Sequence, residues 1–472
     1  MSAAETLMRG VRRLTGDGAW LRRLHPAYAE ASKAFSSLAQ ADEAERERAI
    51  AALEERAYGW ARETPYGARH AGRPGSAQSA WPALEKRQLR DDPEAFITRS
   101  SGVPAATGGS SGVPLALVRS PGSVAAEQGA IDHVLRLADI DPRRARIAVC
   151  RAQPLGTRAD GSPVVSRRIG RLRLMLSPYT LDEAHIERYA AEIASFAPDV
   201  LMIHPTALGS LLELAERADA RVSVPVVLTS SEVLLPGLRE RAAVQLGARV
   251  VDLYGMAERV ALAYSLEPGE YRFLAGYGAV ELVPAATAAT APAATVSAPA
   301  PASAPASAPV SAPASTPAAL APYEILGTGL WNPRMPLVRY RTGDIALLPA
   351  SYGPAEVRQV ALGVLPFSGI LGRADDWVLL PGGAKAVGMS HLLWGVEHVE
   401  RMQVRQRADG SLVVAIAPAP GYGEADAERI LANARTLVGE GLPVTVTPVS
   451  EFTVLPNGKS PFVVREGVPD AR

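Results

Sequence analysis

Val200-Leu-Met-Ile-His-Pro-Thr206, Val224-Pro-Val-Val-Leu-Thr-Ser-Ser-Glu232 and Val250-Val-Asp-Leu-Tyr-Gly255 are three apolar runs that each stop on polar or small residues. Helix-period segments alternate with them. Thr180 and Glu183 fit a capping box that opens a helix through Phe196; Thr206 opens a second helix to Arg217, and a third ends near Leu246. Strand, helix, strand in this rhythm predicts parallel strands joined by right-handed crossovers. Their carboxyl ends then share one edge, which is where open α/β sheets bind ligands. His204, the Thr-Ser-Ser-Glu segment and the Tyr-Gly segment are therefore expected to converge on one crevice.

Upstream, Glu43 to Arg62 reads as an amphipathic helix with a solvated charged face, and Trp81 to Asp92 as a helix and turn. Downstream, Pro284 to Pro322 is built of Ala, Pro, Ser, Thr, Val and one Leu, with no charge. Such a segment buries too little surface to offset its ordering entropy, so the expectation is a disordered excursion that does not end a domain. Beyond Gly372 come strand-like runs at Val378 to Leu380, Leu412 to Ala417 and Val444 to Val449, and a helix at Ala425 to Val438. That predicts a small α+β domain, with a hinge near Gly372 to Asp376. The expected division is 1–373 and 374–472.

With 472 residues the chain exceeds one ordinary core. Hydrophobic residues at 47% against charged residues at 21% exclude wholesale disorder, and 49 basic against 49 acidic residues give no reason to expect a nucleic-acid partner. Met1 to Leu14 carries Arg9, Arg12 and Arg13 without the apolar core of a secretory signal. No run approaches the roughly 20 apolar residues that span a bilayer. The expected location is the cytoplasm. Cys150 is the only cysteine and reads as a buried structural thiol. Lysine occurs only at 33, 86, 385 and 459, so a lysine inside a motif points to a need for a compact cation.

Five motifs carry chemistry. Thr107-Gly-Gly-Ser-Ser-Gly-Val-Pro114 mixes glycines with hydroxyls, so its backbone can wrap an anion and its amides and hydroxyls can donate to it. It lacks the Gly-Lys-Ser/Thr ending of a nucleotide-hydrolase loop. Tyr254-Gly-Met-Ala-Glu258 sets an aromatic face, suited to a nucleobase, near a carboxylate suited to Mg²⁺. Tyr340-Arg-Thr-Gly-Asp344, Gly372-Arg-Ala-Asp-Asp376 and Asn457-Gly-Lys459 follow; taken singly they read as a turn with an ion pair, a charged loop and a surface turn.

In this order the five motifs resemble the signature of adenylate-forming enzymes, nearest the phenylacetate-CoA ligase-like branch that includes proteins named for capsular polysaccharide biosynthesis. The resemblance spans roughly Trp81 to Val464. It implies an α/β fold: a large N-terminal domain of parallel α/β subdomains with a barrel-like portion, and a small C-terminal α+β domain. It also implies an AMP-forming acid-thiol ligase that joins a carboxylic acid, aryl or medium-sized, to coenzyme A through an acyl-adenylate, using ATP and Mg²⁺. Thr107, Ser110, Ser111 and Gly112 would hold the β- and γ-phosphates. Ser231, Glu232, Tyr254 and Gly255 would form the adenine pocket, and Asp344 with Arg373 would hold the ribose. Glu258 would hold Mg²⁺, and Lys459 would bridge the carboxylate and the α-phosphate. Asp375 matches the hinge, Gly382 the thiol tunnel, and His204 a wall of the acyl pocket. Gly108 stands where serine is common, Val113 where a basic residue is, and Ala257 where a threonine is. Two alternatives stay open: transfer to an amine, a sugar or a carrier protein, or a nucleotide-binding homologue without the chemistry.

Overall fold

A computed structural model of the chain describes residues 18–70, 81–99, 102–106, 115–151, 155–156, 162–234, 236–285, 319–373, 378–380, 385–386, 389–393, 396, 398–439, 441–454 and 461–466. Helices α1 (Pro26–Gln40) and α2 (Glu43–Arg62) follow a short helix at Ala19–Leu24. α2 starts where the sequence predicts because Asp42 and Glu45 cap each other: the Glu45 amide donates to Asp42 Oδ1 at 2.8 Å and the Asp42 amide to Glu45 Oε2 at 3.2 Å. Strands β1 (Val103–Ala106) and β2 (Ala116–Arg119) pair antiparallel, and α3 (Pro121–Leu137) follows.

The principal sheet holds β3 (Ile147–Cys150), β4 (Ser166–Ile169), β5 (Arg173–Leu176), β6 (Val200–Ile203), β7 (Val226–Ser230), β8 (Arg249–Gly255), β9 (Leu262–Glu267) and β10 (Glu270–Phe273), in the order β10-β9-β8-β7-β6-β3-β5-β4. From β5 through β3, β6 and β7 to β8 it is parallel; β4, β9 and β10 are antiparallel additions. The crossovers are α4 (Ile186–Phe196), α5 (Pro205–Arg217) and α6 (Pro236–Leu246).

Successive strand residues serve opposite faces, so both faces are apolar. Val200, Val226, Leu228 and Val251 pack with Phe35, Ala57 and Val134 of α1, α2 and α3. Leu201, Ile203, Val227 and Val250 pack with Ile193, Leu212 and Ala242 of α4, α5 and α6. Each such side chain contributes about 1.5–3 kcal/mol when fully buried, so slipping a strand by one residue is costly on both faces. Cys150 is buried in β3, where desolvation pushes its thiol up to about 12, as a structural thiol requires.

The capping box expected at Thr180 does not form. The Thr180 hydroxyl is buried, donates to the Ser177 carbonyl at 3.2 Å and meets the Tyr189 hydroxyl at 2.9 Å, while Glu183 faces Arg217 at 3.6 Å. α4 therefore begins only at Ile186. The second strand also starts later than expected, at Val226, after Pro225.

Strands β11 (Gly278–Pro284), β12 (Leu320–Gly329), β13 (Tyr340–Pro349) and β14 (Gly369–Arg373) form a second, antiparallel sheet in that order. It stacks on the end of the principal sheet through Ala263, Phe273, Ile325, Ala346 and Phe367. The Ala/Pro-rich segment leaves between two paired strands, with Pro284 opposite Tyr323 and the Ala285 amide donating to the Pro322 carbonyl at 3.1 Å. Both ends of the predicted excursion are thus strand, and its centre, 286–318, lies outside the described residues.

After the ribbon β15 (Val378–Leu379) and β16 (Lys385–Ala386), the small C-terminal domain has the sheet β19-β18-β17-β20, made of β17 (Val399–Gln406), β18 (Leu412–Pro418), β19 (Val444–Pro448) and β20 (Val463–Arg465). Helix α7 (Glu424–Val438) packs on it through Ile430 and Ala434 against Val404 and Val414. No helix among the described residues is long and apolar enough to cross a membrane.

The two domains meet where Glu400 of β17 accepts from Arg241 Nη1 of α6 at 2.7 Å, beside Glu213 of α5. Burial and the hydrogen bond with Glu213 hold the Glu400 carboxyl up at about 7, with Arg241 pulling the other way. A carboxyl raised in the docked state favours docking fully below its ordinary value of 4.5, and that contribution is lost as pH rises through about 7. Docking, read as energy transfer between labels on α5 and α7, should be tighter at pH 6 than at pH 8, and Glu400→Gln should remove the difference. A wild-type protein equally docked at both pH values would overturn this.

Candidate active site

The carboxyl ends of β6, β7 and β8 carry the residues expected there. His204 follows β6 and is the N-cap of α5, ahead of Pro205 at its first turn, a position that suits proline. Its Nδ1 lies 3.0 Å from the Ser230 carbonyl at the end of β7. A carbonyl only accepts, so Nδ1 carries the proton. Ser231 adopts φ +74, and this left-handed turn brings Glu232 back to α5, where its Oε2 accepts from the Thr206 amide at 2.9 Å. Glu232 thereby satisfies an otherwise unpaired amide at the start of α5 and complements the helix dipole. Sequence reasoning assigned Glu232 only to the pocket and missed this bracing role. It also missed Arg401 of β17, whose guanidinium is pushed down by burial against the opposing charge of Glu232, and which lies 4.3 Å from the centre of the Phe452 ring.

Tyr254 comes next to last in β8, and its hydroxyl donates to Asp344 Oδ2 at 2.7 Å. Beneath it, Asp252 is buried and raised by desolvation, and it accepts from the Thr229 and Tyr271 hydroxyls, each at 2.5 Å. The Tyr-Arg-Thr-Gly-Asp motif, read as a turn with an ion pair, is instead the bulged start of β13. Pairing shifts between Asp344 and Ala346, Gly343 has φ +75, and the Thr342 hydroxyl donates to the Ile325 carbonyl at 2.7 Å while accepting from the Asp344 amide at 3.0 Å. A bulge re-aims the residue beside it, and here that residue is Asp344. Arg341 pairs outside the motif, lying 3.1 Å from Glu324 of β12.

Glu258 is held from the same strand, because the Tyr340 hydroxyl donates to its Oε1 at 2.9 Å. Its Oε2 is enclosed and has no hydrogen-bond partner among the described residues. Two glycines let this segment lie against the second sheet: a Cβ at Gly278 would stand 1.8 Å from the Val260 carbonyl oxygen, and one at Gly327 would stand 2.6 Å from it. Arg119 of β2 reaches across to donate to the Ala257 carbonyl at 2.7 Å. Burial and the neighbouring Arg259 push its pKa down, while Glu127, Tyr277 and Glu258 oppose that. Nothing in the sequence pattern singles Arg119 out.

The structure thus brings together His204, Ser231, Glu232, Tyr254, Gly255, Glu258 and Asp344, and pairs the Arg373 backbone of β14 with Asp344. Thr107, Ser110, Ser111 and Gly112 lie outside the described residues. Their flanks pair as Ala106 with Ala116, three residues before Arg119. Asp375, Gly382 and Lys459 also lie outside the described residues. Among those described, no group of three or more His, Cys, Asp or Glu is arranged to hold a metal.

No family profile matches the chain, and no curated protein matches it. Among solved structures it is similar to 2-hydroxyisobutyryl-CoA ligase in the postadenylation state in complex with R3-HIB-AMP, with a TM-score of 0.58, 16% identity and 90% of each chain covered. The same ligase in complex with 2-HIB-AMP gives a TM-score of 0.57 at the same identity and coverage. At that identity the likeness establishes the fold: mixed α/β, with a large N-terminal domain and a smaller C-terminal one.

Removing the Tyr254 hydroxyl takes a donor from the buried Asp344 carboxylate, a loss that costs about 1–3 kcal/mol. Tyr254→Phe should lower unfolding stability by that amount in urea titrations. An unchanged midpoint and slope would show that the bond does not join the two sheets.

Proposed function

We propose that this protein activates a carboxylic acid with ATP, releasing pyrophosphate, and passes the acyl group from the acyl-adenylate to the thiol of coenzyme A. The observation that carries this reading is the convergence of Glu258, Tyr254 and Asp344 where the two sheets meet, in a fold similar to that of a CoA ligase. Tyr254 offers a ring for the adenine and Asp344 a carboxylate for the ribose hydroxyls. The Thr107 to Pro114 segment, Ser110 and Ser111 above all, would take the phosphates. The motif order supports the phenylacetate-CoA ligase-like branch and an aryl or medium-sized acid, with the reaction in the cytoplasm.

Glu258 fits a magnesium ion. One oxygen is held by Tyr340, while the other is enclosed with no donor, and a hard cation supplies what such an oxygen lacks. Bound there with ATP, Mg²⁺ would neutralise charge on the phosphates. The remaining barrier is the approach of a carboxylate to an anionic α-phosphate, which needs alignment and a compact positive charge. Lys459 is the residue proposed to supply it. The thiol step then needs Lys459 withdrawn, and we assign that to rotation of the small domain about Asp375, with Gly382 lining the thiol's path.

ATP–pyrophosphate exchange across a panel of carboxylic acids, with and without coenzyme A, tests this. Exchange should depend on the acid, and Lys459→Ala should lower it by about 10²- to 10³-fold while thioester formation from supplied acyl-adenylate falls far less. If no acid supports exchange although ATP binds, the protein is a nucleotide-binding homologue. If the acyl group passes only to an amine, a sugar or a carrier protein, coenzyme A is the wrong acceptor.

A further inference from the structure

Arg151 follows β3, one step beyond the pair Cys150 and Ile203, so it sits level with His204 on the carboxyl edge. No sequence motif contains it. Its Nη2 donates to the Ser230 hydroxyl at 3.1 Å, reaching across the end of β6 to the end of β7. Its Nε is enclosed and has no hydrogen-bond partner among the described residues. The acidic group whose charge bears on it is Glu127 of α3, which is already committed: it accepts from the Tyr277 hydroxyl and lies 3.4 Å from Arg259 Nε. Burial pushes the Arg151 pKa down, with Glu127 opposing, yet a guanidinium keeps its proton inside proteins.

Arg151 is half-buried, with its Nε enclosed and no carboxylate hydrogen-bonded to it among the described residues; a permanent charge so placed is costly, so such a site is built to receive an opposite one. The ligand is an anion and not merely a polar group, because a hydroxyl or amide would leave the charge uncompensated. It is two-pronged, because adjacent guanidinium N–H groups match two oxygens of one anion, and of the two anions that bind this way, carboxylate and phosphate, the phosphates are assigned above to the Thr107 to Pro114 segment. The site lies at the ends of β3, β6 and β7, on the far side of Ser230 from Tyr254 and Asp344. The reacting carboxyl must meet the nucleotide, so a carboxylate at Arg151 is a different one.

Resting on the acid-activating reading above, we infer that the substrate is a dicarboxylic acid: one carboxyl is adenylated while the other is bound by Arg151, with Ser230 orienting the guanidinium and His204 beside it. Arg151 is then a specificity-determining residue. It discriminates by charge pairing in a partly desolvated pocket, so a monocarboxylic acid of equal length leaves the enclosed guanidinium N–H unpaired.

The test is exchange activity with matched pairs of acids: succinate against butyrate, glutarate against valerate, and terephthalate against benzoate. Wild-type enzyme should favour one diacid over its partner. In Arg151→Met the diacid-to-monoacid ratio of kcat/KM should fall by about 100-fold, the loss expected on breaking a buried charge pair. Arg151→Lys, which keeps the charge without the fork, should recover part of it. Calorimetric titration of the same acids into wild-type and Arg151→Met protein needs no turnover and guards against a silent enzyme. Diacid binding that Arg151→Met abolishes supports the inference even when no acid drives exchange, an outcome that would sink only the catalytic reading. An unchanged ratio in a folded variant, or a wild-type enzyme with no preference in any pair, overturns it. Equal losses for both acids would mean that Arg151 meets the reacting carboxyl or the phosphate, and would also overturn it.

Discussion

The hydrogen bond from Tyr254 to Asp344 joins the two sheets on which the site is built. Tyr254 ends a parallel strand whose position is set by burial on both faces, and Asp344 stands on a bulge in an antiparallel one. Neither sheet alone would bring an aromatic ring and a carboxylate to one place. Glu258 depends on the same junction, because Tyr340 holds it from the strand that carries Asp344. The junction closes only because Gly278 and Gly327 leave room for the Val260 backbone. A side chain at either position would push the Glu258 segment off the second sheet and separate the metal-binding candidate from the ribose-binding candidate.

Charge around this junction is unevenly paired. Arg119, Arg151 and Arg259 meet Glu127 and Glu258 in a largely desolvated space, and the enclosed Nε of Arg119, Nε of Arg151 and Oε2 of Glu258 keep no hydrogen-bond partner among the described residues. A folded chain tolerates few such groups, and a site awaiting charged ligands is one place where they are kept. Glu232 shows the opposite economy, since its carboxylate is spent on the amide of Thr206. The domain contact through Glu400 and Arg241 lies on α5 and α6, the helices that follow His204 and Ser231, so the placing of the small domain and the shape of the crevice share their supports.

Much of this was legible in the chain. The α2 boundaries match the amphipathic run from Glu43 to Arg62, and the three apolar runs from Val200 to Gly255 became adjacent parallel strands because their lengths and flanking helices leave few other arrangements. The Thr180 capping box failed because a buried hydroxyl found better partners in Ser177 and Tyr189, which no local pattern reveals. The motif at Asp344 was seen as chemistry but not as a bulge, since a bulge is a relation between two strands. Arg119 and Arg151 were not legible at all: arginine is the ordinary cation of this chain, and only their tertiary contacts, with Ala257 and with Ser230, mark these two.

By itself, then, the sequence determined the three central strands and the helices between them, that these strands run parallel, and which polar residues end them. Periodicity and capping act over a few residues, and the chain carries them directly. The tertiary structure alone decided that Tyr254 bonds Asp344, that Glu258 keeps one oxygen unpaired, and that Arg151 is a half-buried cation bonded to Ser230. Desolvation and hydrogen-bond partnership depend on groups far apart along the chain, and they acquire a value only when packing removes the water.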